Sequence, residues 1–144
     1  MAGNSNTTTV DGAVAFGYGN KVTGRYSSAI GHCVLAAGES SHAEGEGGYM
    51  PDTLSWSASS TLAQVKTVMD ASGGTAAFGL NSHSEGRQTV AKDTAAHSEG
   101  WSTIAWGPST HTEGRYTIAV HNNAHAEGAS AIAYGYHSHA EGYS

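Results

Sequence analysis

The stretch His83-Ser84-Glu85-Gly86-Arg87-Gln88-Thr89-Val90-Ala91-Lys92-Asp93-Thr94-Ala95-Ala96 is followed without a gap by His97-Ser98-Glu99-Gly100-Trp101-Ser102-Thr103-Ile104-Ala105. The opening phrase returns at His111-Thr112-Glu113-Gly114, His125-Ala126-Glu127-Gly128 and His139-Ala140-Glu141-Gly142, always at a step of fourteen residues. Midway lies a second beat, Thr89-Val90-Ala91, Thr103-Ile104-Ala105, Thr117-Ile118-Ala119 and Ala131-Ile132-Ala133, and two residues after its alanine stands Asp93, Gly107, His121 or Gly135. A repeat locked to one period means that each unit packs on its neighbours and not on a distant partner. Small residues alternate with variable ones inside each run, which is the period of strands and not of helices. One repeat therefore makes one turn of a parallel β-solenoid, an all-β fold with about 4.8 Å between stacked turns. Glycine closes each run where the corner needs positive φ, and Asp93 and His121 are expected in the same conformation, which their residue types tolerate.

Outward from this core, the rhythm begins in divergent form at Val14-Ala15-Phe16-Gly17, Ser28-Ala29-Ile30-Gly31 and His42-Ala43-Glu44-Gly45. Residues 1–10 read as a loose polar lead-in, and residues 11–144 as one repeat domain. His42 and His83 are 41 residues apart, which places an insertion at about 46–74. Within it Leu62, Val65 and Met69 share one helical face, Ser59 or Ser60 can cap, and Gly73-Gly74 can stop, so the insertion is expected to carry a short amphipathic helix over Ser59–Asp70. Insertions on one face of a solenoid are often its binding face, which makes Tyr49 and Trp56 candidate receptor contacts. The last turn ends in mid-period at Ser144 with no capping element after it, so a cut or longer parent chain is expected.

Twenty glycines and two phenylalanines leave little bulk for a core. The core instead comes from stacked small residues, Ala43, Ser84, Ser98, Thr112, Ala126 and Ala140 on one side, Ala36, Ala77, Ala91, Ala105, Ala119 and Ala133 on the other. So thin a coil buries little apolar area for each residue it orders, and association with copies of itself would make up the difference. Six basic against twelve acidic residues, a formal charge of −6, is the wrong sign for a nucleic-acid partner. No apolar run is long enough to insert in a membrane, and the N-terminus lacks the charged and apolar regions of a signal peptide. Cys33 is the only cysteine, so no internal disulfide forms, and it reads as a bystander thiol near a corner.

Val14-Ala15-Phe16-Gly17 and Ser28-Ala29-Ile30-Gly31 at a fourteen-residue step resemble the head repeats of trimeric autotransporter adhesins (YadA-like). The His-Ala/Ser-Glu-Gly variant with Thr-Ile-Ala is similar to repeats of bacteriophage tail-fibre and tailspike proteins. The resemblance covers all but the first ten or so residues and the insertion, and it lacks the anchor, stalk coiled coil and chaperone domain of those families. It implies a left-handed parallel β-roll assembled as a homotrimeric fibre outside the cell or on a virion. The implied role is structural: a rod segment of a phage tail fibre or comparable surface fibre that holds a host-attachment site, with a host receptor or glycan as partner. A bacterial adhesin head that binds matrix protein is the alternative.

Within each phrase His and Glu lie two apart on one strand and point to the same side. Stacking makes a ladder of His42, His83, His97, His111, His125 and His139 beside one of Glu44, Glu85, Glu99, Glu113, Glu127 and Glu141. By the resemblance, these ladders face the trimer interface, as do Val14, Phe16 and Ile30 in the early turns; a solvated charged stripe is the alternative. The outward Ile104, Ile118 and Ile132, beside Lys92, Trp106, Val120 and Tyr134, are expected to form a second apolar contact surface between subunits. If the ladders are interfacial, a carboxylate beside each imidazole is expected to raise the histidine pKa, which would give stability that fades as pH rises. No cofactor and no enzyme activity are expected, because identical copies at every turn do not make one distinctive pocket. Three histidines of the ladder meeting at a three-fold axis would also suit a divalent transition metal, although the glutamate at hand favours simple pairing, and no metal is assigned.

Overall fold

The computed structural model describes residues 5–48, Ala63 and 74–143. The strands fall into two parallel eight-stranded sheets. One is built from the phrases: β2 (Val14–Tyr18), β4 (Ser28–His32), β6 (His42–Glu46), β8 (His83–Arg87), β10 (His97–Trp101), β12 (His111–Thr112), β14 (His125–Ala129) and β16 (His139–Tyr143). The other is built from the half-beats: β1 (Thr7–Thr8), β3 (Lys21–Val22), β5 (Val34–Ala36), β7 (Thr75–Ala77), β9 (Val90–Ala91), β11 (Ile104–Ala105), β13 (Ile118–Ala119) and β15 (Ile132–Ala133). Strand order within each sheet follows the chain, so each coil contributes one strand to each face. The register is the one the period dictates: His97 lies between His83 and His111, and Ile104 between Val90 and Ile118. This is the β-solenoid read from the repeat.

The insertion does not disturb the stack. His42 pairs directly with His83 and Glu44 with Glu85, and β7 pairs with β5, so the described strands on either side of residues 49–73 are in register. Glu46, expected at the start of the insertion, still belongs to β6 and faces Arg87. The helix expected over Ser59–Asp70, Ala63 excepted, and the proposed contacts Tyr49 and Trp56 lie outside the described residues.

The solenoid starts earlier than the lead-in reading allowed. Thr7 and Thr8 pair with Lys21 and Val22. Asn6 is the cause: its side chain accepts from Asn20 N (3.0 Å) and donates to Gly17 O (2.9 Å), which ties the first residues to the coil above.

Ala15, Ala29, Ala43, Ser84, Ser98, Thr112 and Ala126 line the interior from one sheet, and Ala36, Ala77, Ala91, Ala105, Ala119 and Ala133 from the other. The hydroxyls among them are satisfied across the narrow lumen. Ser84 meets Thr89 and Ser98 meets Thr103, both at 2.8 Å, and Thr103 Oγ1 donates to Glu99 O at 3.0 Å.

The corners differ from the expectation at Asp93 and His121, neither of which takes positive φ. The left-handed residues lie two positions further on, in the column Tyr26, Ser40, Asn81, Ala95, Ser109, Asn123 and His137. Glycine at Gly24, Gly38 and Gly79 answers a different demand. A Cβ there would lie 1.9 Å from the carbonyl oxygen of the next coil, so glycine at these three positions answers close approach and not dihedral freedom.

The half-beat column, expected to form a second contact surface between subunits, is largely covered within the chain itself. Ile104 and Ile118 are 3% and 4% exposed within the single chain and cluster with Val90 and Val120, against Phe78 and Trp106. They leave almost no surface for a neighbouring subunit. Ile132 alone of the three stays open, at 53%.

Candidate functional site: the histidine and glutamate ladders

The columns begin apolar and become ionisable. Val14 pairs with Ser28 and Ser28 with His42, and Phe16 with Ile30 and Ile30 with Glu44, so all three kinds of residue share one outer face. Val14, Phe16 and Ile30 are exposed on it. Above them the imidazoles of His83, His97, His111, His125 and His139 stack almost parallel, with centroids 4.7 to 4.8 Å apart. That spacing is the interstrand distance itself, carried outward by identical rotamers. Between His42 and His83 the rings instead meet edge to face at 72°.

Each Nε2 points at the glutamate column. The gaps are 3.3 Å for His42–Glu44, 3.4 Å for His83–Glu85 and 3.9 Å for both His97–Glu99 and His111–Glu99. In the upper coils Glu127 receives His125 at 3.8 Å and His139 at 3.6 Å. Proximity is not hydrogen bonding here: Nε2 of His83, His97, His111 and His125 is buried and has no hydrogen-bond partner. The glutamates, with Ile30 and the phrase glycines, line a shallow groove of about 860 Å³ along the rod.

The electrostatics reverse the expected sign. Burial is the main cause that holds the pKa values of His83, His97 and His111 below the ordinary 6.5, and the neighbouring imidazoles add to it; the nearby glutamates pull the other way and lose. A stack at interstrand spacing puts like groups closer to each other than pairing had allowed for. Glu99 is pushed up to about 7, first by its hydrogen bond with Glu85, then by burial and by Glu113. Glu113 is held down as the acceptor from Glu127 and Glu99. The carboxyls of Glu85, Glu99, Glu113 and Glu127 thus hydrogen-bond to one another along the column.

A lowered histidine pKa stabilises the fold above the unfolded value of 6.5, and that contribution is lost as pH falls through the folded value. A raised carboxyl such as Glu99 stabilises below 4.5, and its contribution is lost as pH rises to about 7. Below pH 6.5 the two effects oppose each other, so the histidine part is read against a variant: the melting temperature of His97→Asn is expected to fall less, or rise more, than that of wild type between pH 6.5 and 5. Parallel melts of the two proteins over that range would contradict this arrangement.

Some residues on this face gave no signal as a motif. Ser28 Oγ lies 2.5 Å from His42 Nδ1, although nothing but its place in the column announced it. Immediately after the phrase glycine, Arg87 and Arg115 flank the Trp101 ring at 5.6 and 5.0 Å, and Trp101 Nε1 donates to Gln88 Oε1 at 3.2 Å. On the half-beat face Lys92 Nζ sits 3.8 Å above the Trp106 ring. Because each residue type at these positions changes from coil to coil, no repeat flagged Arg87, Trp101 or Arg115, and Lys92 and Trp106 read only as part of an apolar contact surface.

This geometry, two parallel sheets with one coil per fourteen residues and a column of positive-φ glycines closing each phrase, can be compared with known families. Two stretches match the YadA head domain repeat. They are residues 11–32 and 122–142, one at each end of the rod. The first copy covers β2 to β4 with the apolar start of the column, and the second covers β14 to β16 with the His-Ala-Glu-Gly form. The YadA-type repeat thus accommodates both chemistries on one backbone. No curated protein and no solved structure matches the chain. The adhesin-head resemblance read from the repeats is supported, and with it a structural, surface-fibre type of module.

Proposed function

We propose that this chain is a rod segment of a homotrimeric fibre that carries a host-attachment site, and that the fibre is a bacteriophage tail fibre. The observation that carries the reading is the unbroken fourteen-residue stack whose outer phrase face runs from exposed Val14, Phe16 and Ile30 into the His and Glu ladders. A lone coil with an alanine, serine and threonine lumen has little apolar burial to set against chain entropy, so exposed apolar side chains in one row are natural subunit contacts. The three-fold axis lies along this row in the proposed assembly, with the ladders inside. The tail-fibre assignment rests on the resemblance of the His-x-Glu-Gly phrase. A bacterial adhesin head that binds host or matrix protein is the second reading, and the YadA head match favours it.

Light scattering on the eluting protein is expected to give three times the chain mass of 14.7 kDa. A folded monomer in dilute buffer would overturn the reading. Phe16→Glu, which places a carboxylate in the apolar row, is expected to shift the mass to that of the monomer; Tyr143→Glu, at the far end of β16, is expected to leave it unchanged.

A further inference from the structure

We propose that His42, Glu44 and His83 form a binding site for a divalent transition metal of the zinc class, held within one chain at the foot of the imidazole stack, where His42 and His83 meet edge to face. The three side chains each present a ligand atom, and these lie within 4.8 Å of one another. A tetrahedral ion with metal–nitrogen and metal–oxygen bonds of 2.0 to 2.2 Å holds its ligand atoms about 3.3 Å apart. His42 Nε2 and Glu44 Oε2 already stand 3.3 Å apart.

Ring orientation singles out this rung. Higher in the ladder successive imidazoles are parallel within 8°, so their nitrogen lone pairs run side by side and cannot converge on one ion without a rotation. His42 and His83 are turned 72° to each other, which lets the two lone pairs approach a common point. His42 also has the outer partner that metal-bound histidines use. If Ser28 Oγ, 2.5 Å away, takes the Nδ1 proton, Nε2 is left as a bare lone pair aimed at a carboxylate. Two lone pairs facing each other need a cation or a proton between them.

His83 supplies an independent sign. Its Nε2 is buried, aimed at the glutamate column and without a hydrogen-bond partner. Such an atom, which His83 has in common with His97, His111 and His125, costs free energy unless something meets it. A metal ion meets it and also relieves the crowding of carboxylates in the adjoining column. Imidazole nitrogen together with one carboxylate suits zinc, cobalt or nickel, and not magnesium or calcium, which prefer an all-oxygen set. The fourth position is open to water or to a group from another molecule.

The test uses the full chain stripped with a chelator and titrated with Co²⁺ as the probe. Expected are the visible absorption of a four-coordinate cobalt–imidazole centre, its loss on adding Zn²⁺, and a melting temperature that rises with metal concentration. Ser28→Ala is expected to weaken Co²⁺ at least tenfold by freeing the His42 ring. Glu44→Gln and His42→Asn are expected to abolish the signal, with apo melting curves showing that they still fold. No absorption and no shift at millimolar Co²⁺ or Zn²⁺ would overturn the site; this is also the result if Ser28 donates to Nδ1 and Nε2–H is already satisfied by Glu44. Binding equally strong with Mg²⁺, or lost only in His97 or His125 variants, would overturn the metal class or the rung.

Discussion

Gly100→Ala is expected to destabilise the rod by about 2–5 kcal/mol, the sum of a left-handed strain of about 1–2 and an overpacking cost of about 1–3. Gly100 has φ +104, and an added Cβ would lie 2.2 Å from Gly114 O. That oxygen cannot retreat without loss, because it accepts the hydrogen bond from Trp101 N at 2.9 Å. The same approach recurs at Gly17, Gly31, Gly45, Gly86, Gly114 and Gly128, so an added side chain meets the next coil's backbone all along this column. Two other positions separate the contributions. At Gly142 φ is +116 but nothing lies within 4 Å, so Gly142→Ala is expected to cost only the dihedral strain, about 1–2 kcal/mol. At Gly135 a Cβ would meet Ser138 Cβ at an ordinary 3.6 Å, and Asp93 and His121 fill the same column. Gly135→Ala is expected to be neutral or to stabilise by about 0.4–1 kcal/mol through the unfolded chain. Urea unfolding of the three variants checks the order; a Gly100→Ala protein as stable as Gly135→Ala would mean that the backbone columns are not in contact as described.

The repeat made the fold legible because in a solenoid every residue of a column meets the same environment, so like environments show as like residues at a fixed step. His83, Ser84, Glu85 and Gly86 recur because their columns are, respectively, laddered, luminal, laddered and backbone-tight. Legibility failed where the environment does not restrict the residue. The left-handed corners hold Tyr26, Ser40, Asn81, Ala95 and His137, which share no chemistry, and so the positive φ was assigned two residues too early. It also failed where a property belongs to the stack and not to the pair. One histidine beside one glutamate suggests a raised pKa; five histidines at interstrand spacing, partly buried, give lowered values at His83, His97 and His111. The burial of Ile104 and Ile118 is likewise a property of the packed column, to which the alternation of a single strand gives no access. Of the candidate site, the ladders were readable, whereas the turn of His42 against His83 and its bond to Ser28 were not, since both arise at the one coil where the column changes from serine to histidine.

The first coils also hold the polar group whose loss should be felt most. Asn20 is 1% exposed and uses its whole amide: Nδ2 donates to Phe16 O at 2.7 Å and Gly31 O at 3.0 Å, and Oδ1 accepts from Val34 N at 3.0 Å. Its own N–H goes to Asn6 Oδ1, so two asparagines span three coils. Asn20→Ala leaves one buried N–H and two carbonyls short of partners. At about 1–3 kcal/mol for an unmet buried group, and less for carbonyls that keep another bond, the expected loss is about 3–6 kcal/mol. Later coils solve the same problem with a hydroxyl: Thr103 and Thr117 in this column donate to Glu99 O and Glu113 O at 3.0 and 3.1 Å. Asn20→Thr should therefore satisfy Phe16 O and forfeit the rest, which places its loss between wild type and alanine. Asn20→Asp keeps the acceptor for Val34 N but sets an oxygen against two carbonyls, and it is expected to be at least as damaging as alanine at neutral pH. Chemical denaturation ranks the three, and amide exchange at Val34 locates the effect. An alanine variant within about 1 kcal/mol of wild type would show that water takes the place of the amide, and that the seam between the first coils is wetter than its burial says.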